Sequence, residues 1–130
     1  MTDDTRALIA ALGFASITGK TVAGLHDHAA MRNRRLAAQR RGQAVQAHDG
    51  DRDLHFGGTL PDIRDQNGQP LLALTLEGHS LRAYDRTANA FYEARVSDGL
   101  VQVFDHAAGA WFAYDVQDAD APNRYHRASA

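Results

Sequence analysis

The chain has 130 residues, a formal charge of −2 and a sequence pI near 6.4, so it has no global electrostatic pull toward nucleic acid or an acidic membrane. It has no cysteine, which excludes disulfides and thiolate zinc sites. Its 14 aspartates against 2 glutamates describe a turn-rich protein, because the short Asp carboxylate captures nearby backbone N–H groups. Its 24 alanines imply a thin core.

Residues 7–17 are apolar, but Asp3 and Asp4 precede them where a secretion signal needs positive charge, and the run is too short to span a bilayer. The segment reads as a short helix. Thr2, Asp3 or Asp4 caps it, Leu8, Ile9 and Leu12 form its apolar stripe, and Gly13 ends it. Residues 1–18 are therefore expected to be a helix and lead-in packed on whatever follows. A cytoplasmic location is expected, and the preference for Arg and Ala suggests a bacterial source. Gly19, Lys20 and Thr21 resemble the end of a phosphate-binding loop. The glycine that should stand five residues before Gly19 is Phe14, however, so no nucleotide is expected.

From residue 19 the chain repeats. Alternating stretches run into Asp27, Asp49, Asp65, Asp85 and Asp105, and each aspartate opens a short polar run before a second extended stretch. Residues 81–96 (LRAYDRTANAFYEARV) match residues 101–116 (VQVFDHAAGAWFAYDV) at a spacing of 20. A unit of that length holds two short strands and cannot bury its own face, so neighbouring units must join. Asn89 and Gly109 fall where a hairpin loop needs a left-handed residue, and Gly68 serves a loop shorter by one. Gly42, Gly58, Gly78 and Gly99 mark turns between units. Residues 28–41 read as the return strand of the first unit, with a helix between Asp27 and Gly42 as the alternative. The expected fold is mainly all-β: a meander of about five β-hairpin repeats of about 16–22 residues over residues 19–116, curled or closed into a barrel. The short N-terminal α-helix packs on it. Residues 117–130, with Pro122, read as a tail.

Alternation assigns the faces. Leu81, Ala83, Tyr92, Ala94, Val96, Val101, Val103, Phe112, Tyr114 and Val116 share the core side. Tyr84, Phe91, Phe104 and Trp111 share the other, as cross-strand pairs or as a platform for a ligand or protein. The corresponding positions of earlier units hold His26 with Asn33, and His48 with His55. His48, His55 and Asp53 are weak metal candidates, and no metal or other cofactor is expected. Arg32, Arg34, Arg35, Arg40 and Arg41 form the one segment able to contact phosphate.

The string 103–111 (VFDHAAGAW) resembles the strand–turn–strand piece of a kelch propeller blade, without the blade's period of about 50 residues or its double glycine. The 20-residue period with aromatics resembles choline-binding repeats, without their tryptophan-rich boxes. Each likeness covers one hairpin, and no family is assigned. No nucleophile elbow or cysteine nucleophile is present, and the only glutamates are Glu77 and Glu93, so no catalytic residues are expected. The expected function is a non-enzymatic interaction or structural module acting through protein association, with another copy of itself as the first partner. Its motives are the thin core, the aromatic face and the edges of an open meander. The alternatives are a ligand- or carbohydrate-binding module using the aromatic face, and nucleic-acid contact through the arginine segment at 32–41.

Overall fold

A computed structural model describes residues 2–119. One helix, α1 (Thr2–Thr18), is followed by β1 (Val22–Asp27), β2 (Arg32–Arg34), β3 (Leu36–Arg41), β4 (Ala44–Asp49), β5 (Leu54–Thr59), β6 (Asp62–Asp65), β7 (Pro70–Glu77), β8 (Ser80–Asp85), β9 (Ala90–Ser97), β10 (Leu100–Asp105) and β11 (Ala110–Asp118). Residues 28–41 are a turn and strands, as the repeat phase implies. β2 and β3 pair with the same side of β1 and act as one return strand interrupted at Arg35. β11 pairs back onto β1, with Leu25 opposite Val116 and Asp27 opposite Tyr114. The meander is thus a closed antiparallel barrel of 10 strands. Gln117 and Asp118 belong to β11 and the Ala119 N–H donates to the Thr21 carbonyl, while the rest of the expected tail, with Pro122, lies outside the described residues.

The faces follow the alternation. Val45, Ile63, Leu72, Leu74, Leu81, Ala83, Ala94, Val101, Val103 and Tyr114 all point inward and are buried. So do four of the five repeat aspartates, Asp27, Asp49, Asp85 and Asp105. They stand at the ends of β1, β4, β8 and β10, at the mouth of the barrel where the longer hairpin loops lie. Residues four places after these aspartates, Met31, Asp53, Asn89 and Gly109, all have φ between 53° and 65°, and Gly68 has φ 81°. Asn89, Gly109 and Gly68 were legible as left-handed positions. Met31 and Asp53 adopt the same geometry because the loop, not the residue type, demands it.

The expected helix packs on the sheet, from the inside of the closed barrel, and is longer than a stop at Gly13 would make it. Ala7 through Leu12 and Phe14 through Ser16 are all buried, which a helix lying on one face of a sheet would not allow. α1 packs against β1, β3 and β4 as well as β8, β9, β10 and β11, strands from both sides of the barrel, so it runs through the lumen. Its 17 residues span about 25 Å, comparable with strands of six to nine residues at roughly 3.3 Å each. Gly13 does not end it. A Cβ at Gly13 would meet Leu81 Cδ2 at 3.1 Å and Ala94 Cβ at 3.7 Å, so the glycine marks close approach to the wall. The helix stops at Gly19, whose φ is 76° and whose N–H donates to the Ala15 carbonyl. Of the expected caps, the Thr2 side chain lies outside the described residues, while Asp3 and Asp4 stand in the first turn.

Glycines between units also divide differently from the expectation. Gly42 and Gly78 are left-handed turn residues, but at 98–99 the positive φ falls on Asp98. Gly58 lies within β5, where any Cβ would overlap the Asp62 carbonyl oxygen, so it permits the tight approach of β5 and β6.

Because hydrogen bonds close the wall, the lumen cannot shrink around a missing side chain. Leu12→Ala is expected to lie in the upper half of the roughly 2–5 kcal/mol range for buried leucines. Urea unfolding should show a lower midpoint with an unchanged slope, still as one transition; a loss below about 1 kcal/mol would mean the barrel closes on the cavity.

Candidate functional site

Three groups of side chains are candidates: the arginine segment, the paired histidines and the aromatic face. The first dissolves on inspection. Arg34 points into the barrel and is buried, with Nε donating to Asp27 Oδ2 (2.7 Å), Nη1 to Asp4 Oδ1 (2.9 Å) and Nη2 to Asp3 Oδ2 (3.5 Å). Burial alone would lower its pKa, but Asp27 and Asp4 outweigh it and hold the guanidinium above its usual value. Arg40 donates to the Gly42 and Ser16 carbonyls, at the opposite end of α1. Arg32, Arg35 and Arg41 are exposed. Five arginines close in sequence are therefore not one patch, because period-two alternation sends Arg34 and Arg40 inward.

Arg34 instead belongs to a collar at the N-terminal end of α1. Arg6 of the helix donates to Asp105 Oδ2 (2.9 Å) and lies 3.7 Å from the centroid of the Phe112 ring. Arg52 donates to Asp49 Oδ2 (2.6 Å) and stands 3.7 Å from Asp4 Oδ2. Oδ1 of each repeat aspartate holds its own loop. Asp49 Oδ1 accepts from the N–H groups of Asp51 and Arg52, Asp85 Oδ1 from those of Thr87 and Ala88, and Asp105 Oδ1 from those of Ala107 and Ala108. These are the Asx-type caps that the repeat implies. Burial raises the Asp49 carboxyl, but the Arg52 side chain, its N–H and its charge outweigh that and hold it below the ordinary aspartate value. Tyr114 is driven well above the usual tyrosine range, by burial first and then by Asp27. Burial, then Asp105 and Asp85, raises Tyr92.

The paired histidines come together as the register requires. His48 and His55 are direct cross-strand partners on β4 and β5, with ring centroids 4.3 Å apart and planes 17° from parallel. His48 Nε2 lies 3.2 Å from Asp53 Oδ1. One ligand atom from each of the three falls within 4.8 Å of the others, the one such group among the described residues. Beside them an open trough of about 750 Å³ runs along the outside of β3, β4 and β5 over Ala37, Ala44, Gly57 and Gly58. The trough was not legible in sequence, since it depends on small residues such as Ala37, Ala44 and Gly57 coming together on neighbouring strands. His26 stays apart, with Nδ1 2.7 Å from Asn33 Oδ1.

The aromatic face forms a staggered row. Tyr84 and Phe91 are cross-strand partners with centroids 4.9 Å apart, and Phe104 and Trp111 are partners at 5.1 Å. Phe104 stands opposite Glu93, so the second pair is displaced along the strands from the first. The Tyr84 hydroxyl hydrogen-bonds Asn89. Phe91 is 58% exposed and Trp111 44%, with the Arg95 guanidinium 4.9 Å from the centroid of the Trp111 ring. A smaller depression of about 350 Å³ between the pairs is lined by Arg82, Phe91, Tyr92, Glu93 and His106. Arg95 lies on this face as the alternation assigns it, whereas His106, which the sequence places in a loop, joins the face unforeseen. Both stand beside the aromatic rings: His106 lies edge-on to Phe104 at 4.9 Å, with Nε2 3.1 Å from Glu93 Oε2.

The depressed Asp49 pKa sets a pH dependence. Stability from this carboxylate is complete above the unfolded aspartate value, near 3.8, and is lost as pH falls through the lower folded value. Asp49→Asn should cost about 1.5–3 kcal/mol at neutral pH, the loss of charge-assisted hydrogen bonds. The gap between variant and wild type should narrow in acid denaturation scans below that value; a gap constant with pH would contradict the assignment. No protein-family model matches this chain, and neither a curated protein nor a solved structure matches it, so its candidate sites rest on their geometry.

Proposed function

We propose that this barrel is a non-enzymatic interaction module that associates with protein, in the first instance with another copy of itself, through the row Tyr84, Phe91, Phe104 and Trp111. The observation that carries the reading is the exposure of Phe91 (58%) and Trp111 (44%) beside two less exposed aromatic partners. Aromatic residues and arginine are the types enriched at the centres of protein interfaces, and Arg95 over Trp111 joins the two chemistries. The charged residues beside the row, Arg82, Glu93 and Arg95, would form its polar rim.

One motive for association falls away. β11 pairs with β1, so the meander leaves no long open edge to recruit a second copy, and association must run face to face. A two-fold pair would lay one row against the other. The outward charges on β8 and β9 over an apolar interior reverse the pattern of a lipid-facing barrel and support an aqueous setting. No helix is long and apolar enough to cross a membrane among the described residues.

A carbohydrate reading draws on the depression around Phe91, where a ring face sits among the polar groups of Arg82, Glu93 and His106. It is second because Arg95 lies over the Trp111 ring and the depression offers Phe91 as its one exposed ring.

Solution mass by light scattering over a hundredfold concentration range decides between them. Wild type should rise toward the dimer mass. Trp111→Ala should shift the midpoint by about 30-fold or more, the loss of at least roughly 2 kcal/mol typical of an interface hot spot. A wild type monomeric throughout would sink self-association, and titration with simple sugars monitored by Trp111 fluorescence would then test the second reading.

A further inference from the structure

Four of the five repeats bring three positions to one spot on the outer surface near the barrel mouth: the residue before the aspartate, the left-handed residue four after it, and the residue six after it. In the fourth unit these are Tyr84, Asn89 and Phe91, where Tyr84 stacks on Phe91 and its hydroxyl bonds Asn89. In the fifth they are Phe104, Gly109 and Trp111, and in the first His26, Met31 and Asn33. The second unit fills all three with metal-ligand types, His48, Asp53 and His55. The same geometry that aims Asn89 at Tyr84 aims Asp53 at His48, 3.2 Å away.

We propose that His48, Asp53 and His55 bind one divalent transition-metal ion, zinc in the first instance. Two neutral imidazoles and a carboxylate suit zinc, nickel or copper, and one carboxylate is too few oxygens for calcium or magnesium. Two nitrogens on one tetrahedral zinc lie roughly 3.4 Å apart, from bond lengths of about 2.0–2.1 Å. The rings stack 17° from parallel with centroids 4.3 Å apart, so to bind one ion both imidazoles must turn out of the stack until their ring planes meet at the metal, a movement their outer-surface position allows. Asp53, with its side chain 88% exposed, is free to swing over the pair.

Three features support a built site rather than an accidental cluster. Both histidines sit on paired strands, so their separation is fixed by the ladder and not by a mobile loop. The His55 N–H donates to Gln66 Oε1 (3.1 Å), which ties the strand to the neighbouring loop directly behind the ligand. Asp53 holds φ 54°, where Gly or Asn would serve the turn as well and Asp alone adds a charge. With three protein ligands, zinc keeps a water position. The trough adjoins that position, since His48 and His55 form part of its lining, so a small anion or carbonyl group could approach the ion from there.

Calorimetric titration of the intact chain with zinc chloride tests the proposal, with circular dichroism confirming the fold of each variant. Wild type should take up one zinc per chain. His55→Phe keeps a ring pair like Tyr84 with Phe91 but removes a donor, and should weaken binding by at least 10- to 100-fold, no less than the loss of an outer-shell partner. Asp53→Asn should weaken it less, and His79→Ala, outside the cluster, should leave it unchanged. Thermal unfolding should shift upward with zinc in wild type and not in His55→Phe. Absence of saturable zinc binding by wild type, or equal affinity in wild type, His48→Ala and His55→Phe, overturns the site.

Discussion

A sheet of ten strands that closes on itself encloses more space than its inward side chains fill, and the rest of this structure depends on α1 occupying that space. A barrel of about eight strands is just filled by its own side chains, and a wider one must hold something else. The demand on the helix is unusual: it must be apolar all round, and slim. Ala7, Ala10, Ala11, Gly13 and Ala15 meet it by keeping the helix thin, while Leu8, Ile9, Leu12 and Phe14 reach the wall. Alanine in this chain is a fitting residue as well as a weak hydrophobe, and what reads as a thin core in composition is a lumen matched to a helix.

The lumen also has an electrical direction. The helix N-terminus carries a partial positive charge, and it points toward the mouth ringed by Asp27, Asp49, Asp85 and Asp105. Arg6, Arg34 and Arg52 neutralise three of these carboxylates, and Asp3 and Asp4 of the helix share two of the arginines. Buried ion pairs of this kind add little net stability over well-packed apolar groups, but removing one partner leaves an uncompensated charge that costs several kcal/mol. Their use here is orientation. A helix inserted in reverse would bring its own negative end to the carboxylates and leave Arg34 without Asp3 and Asp4. The double duty of Asp27, Asp49 and Asp105, one oxygen for the loop and the other for the collar, explains why the repeat keeps Asp and almost no Glu. A longer side chain could not hold the turn and point inward at once.

How much was legible follows from which interactions are local. Alternation and the Asp-anchored loops are encoded within a few residues, so the hairpins, their left-handed positions at Gly68, Asn89 and Gly109, and the inward face of β8 to β11 could all be read directly. The pairings of His48 with His55, Tyr84 with Phe91 and Phe104 with Trp111 follow from the same register. Closure could not be read, because an open curved sheet and a barrel share one alternation. The full burial of α1 was hidden for a related reason: alanine and glycine give no strong stripe, and Gly13 looks like a helix stop until the wall it approaches is known. Arg34 looked like part of a basic surface because its partners Asp4 and Asp27 are set by the threading of the helix and not by neighbours in sequence.

Closure has a final consequence for function. An open meander offers its edges, and whatever it binds is decided by backbone; this barrel has joined β11 to β1, which shifts the weight of any recognition among the described residues to side chains on its wall and loops. The repeat supplies those at equivalent spots around the mouth, on loops anchored by a buried aspartate, so their content can change without disturbing the core. His26 with Asn33, His48 with His55 and the two aromatic pairs are different occupants of one structural position. A protein-facing row on the last two units and a metal-ligating set on the second are therefore compatible. They stand on separate hairpins, share no side chain, and rest on the same collar beneath.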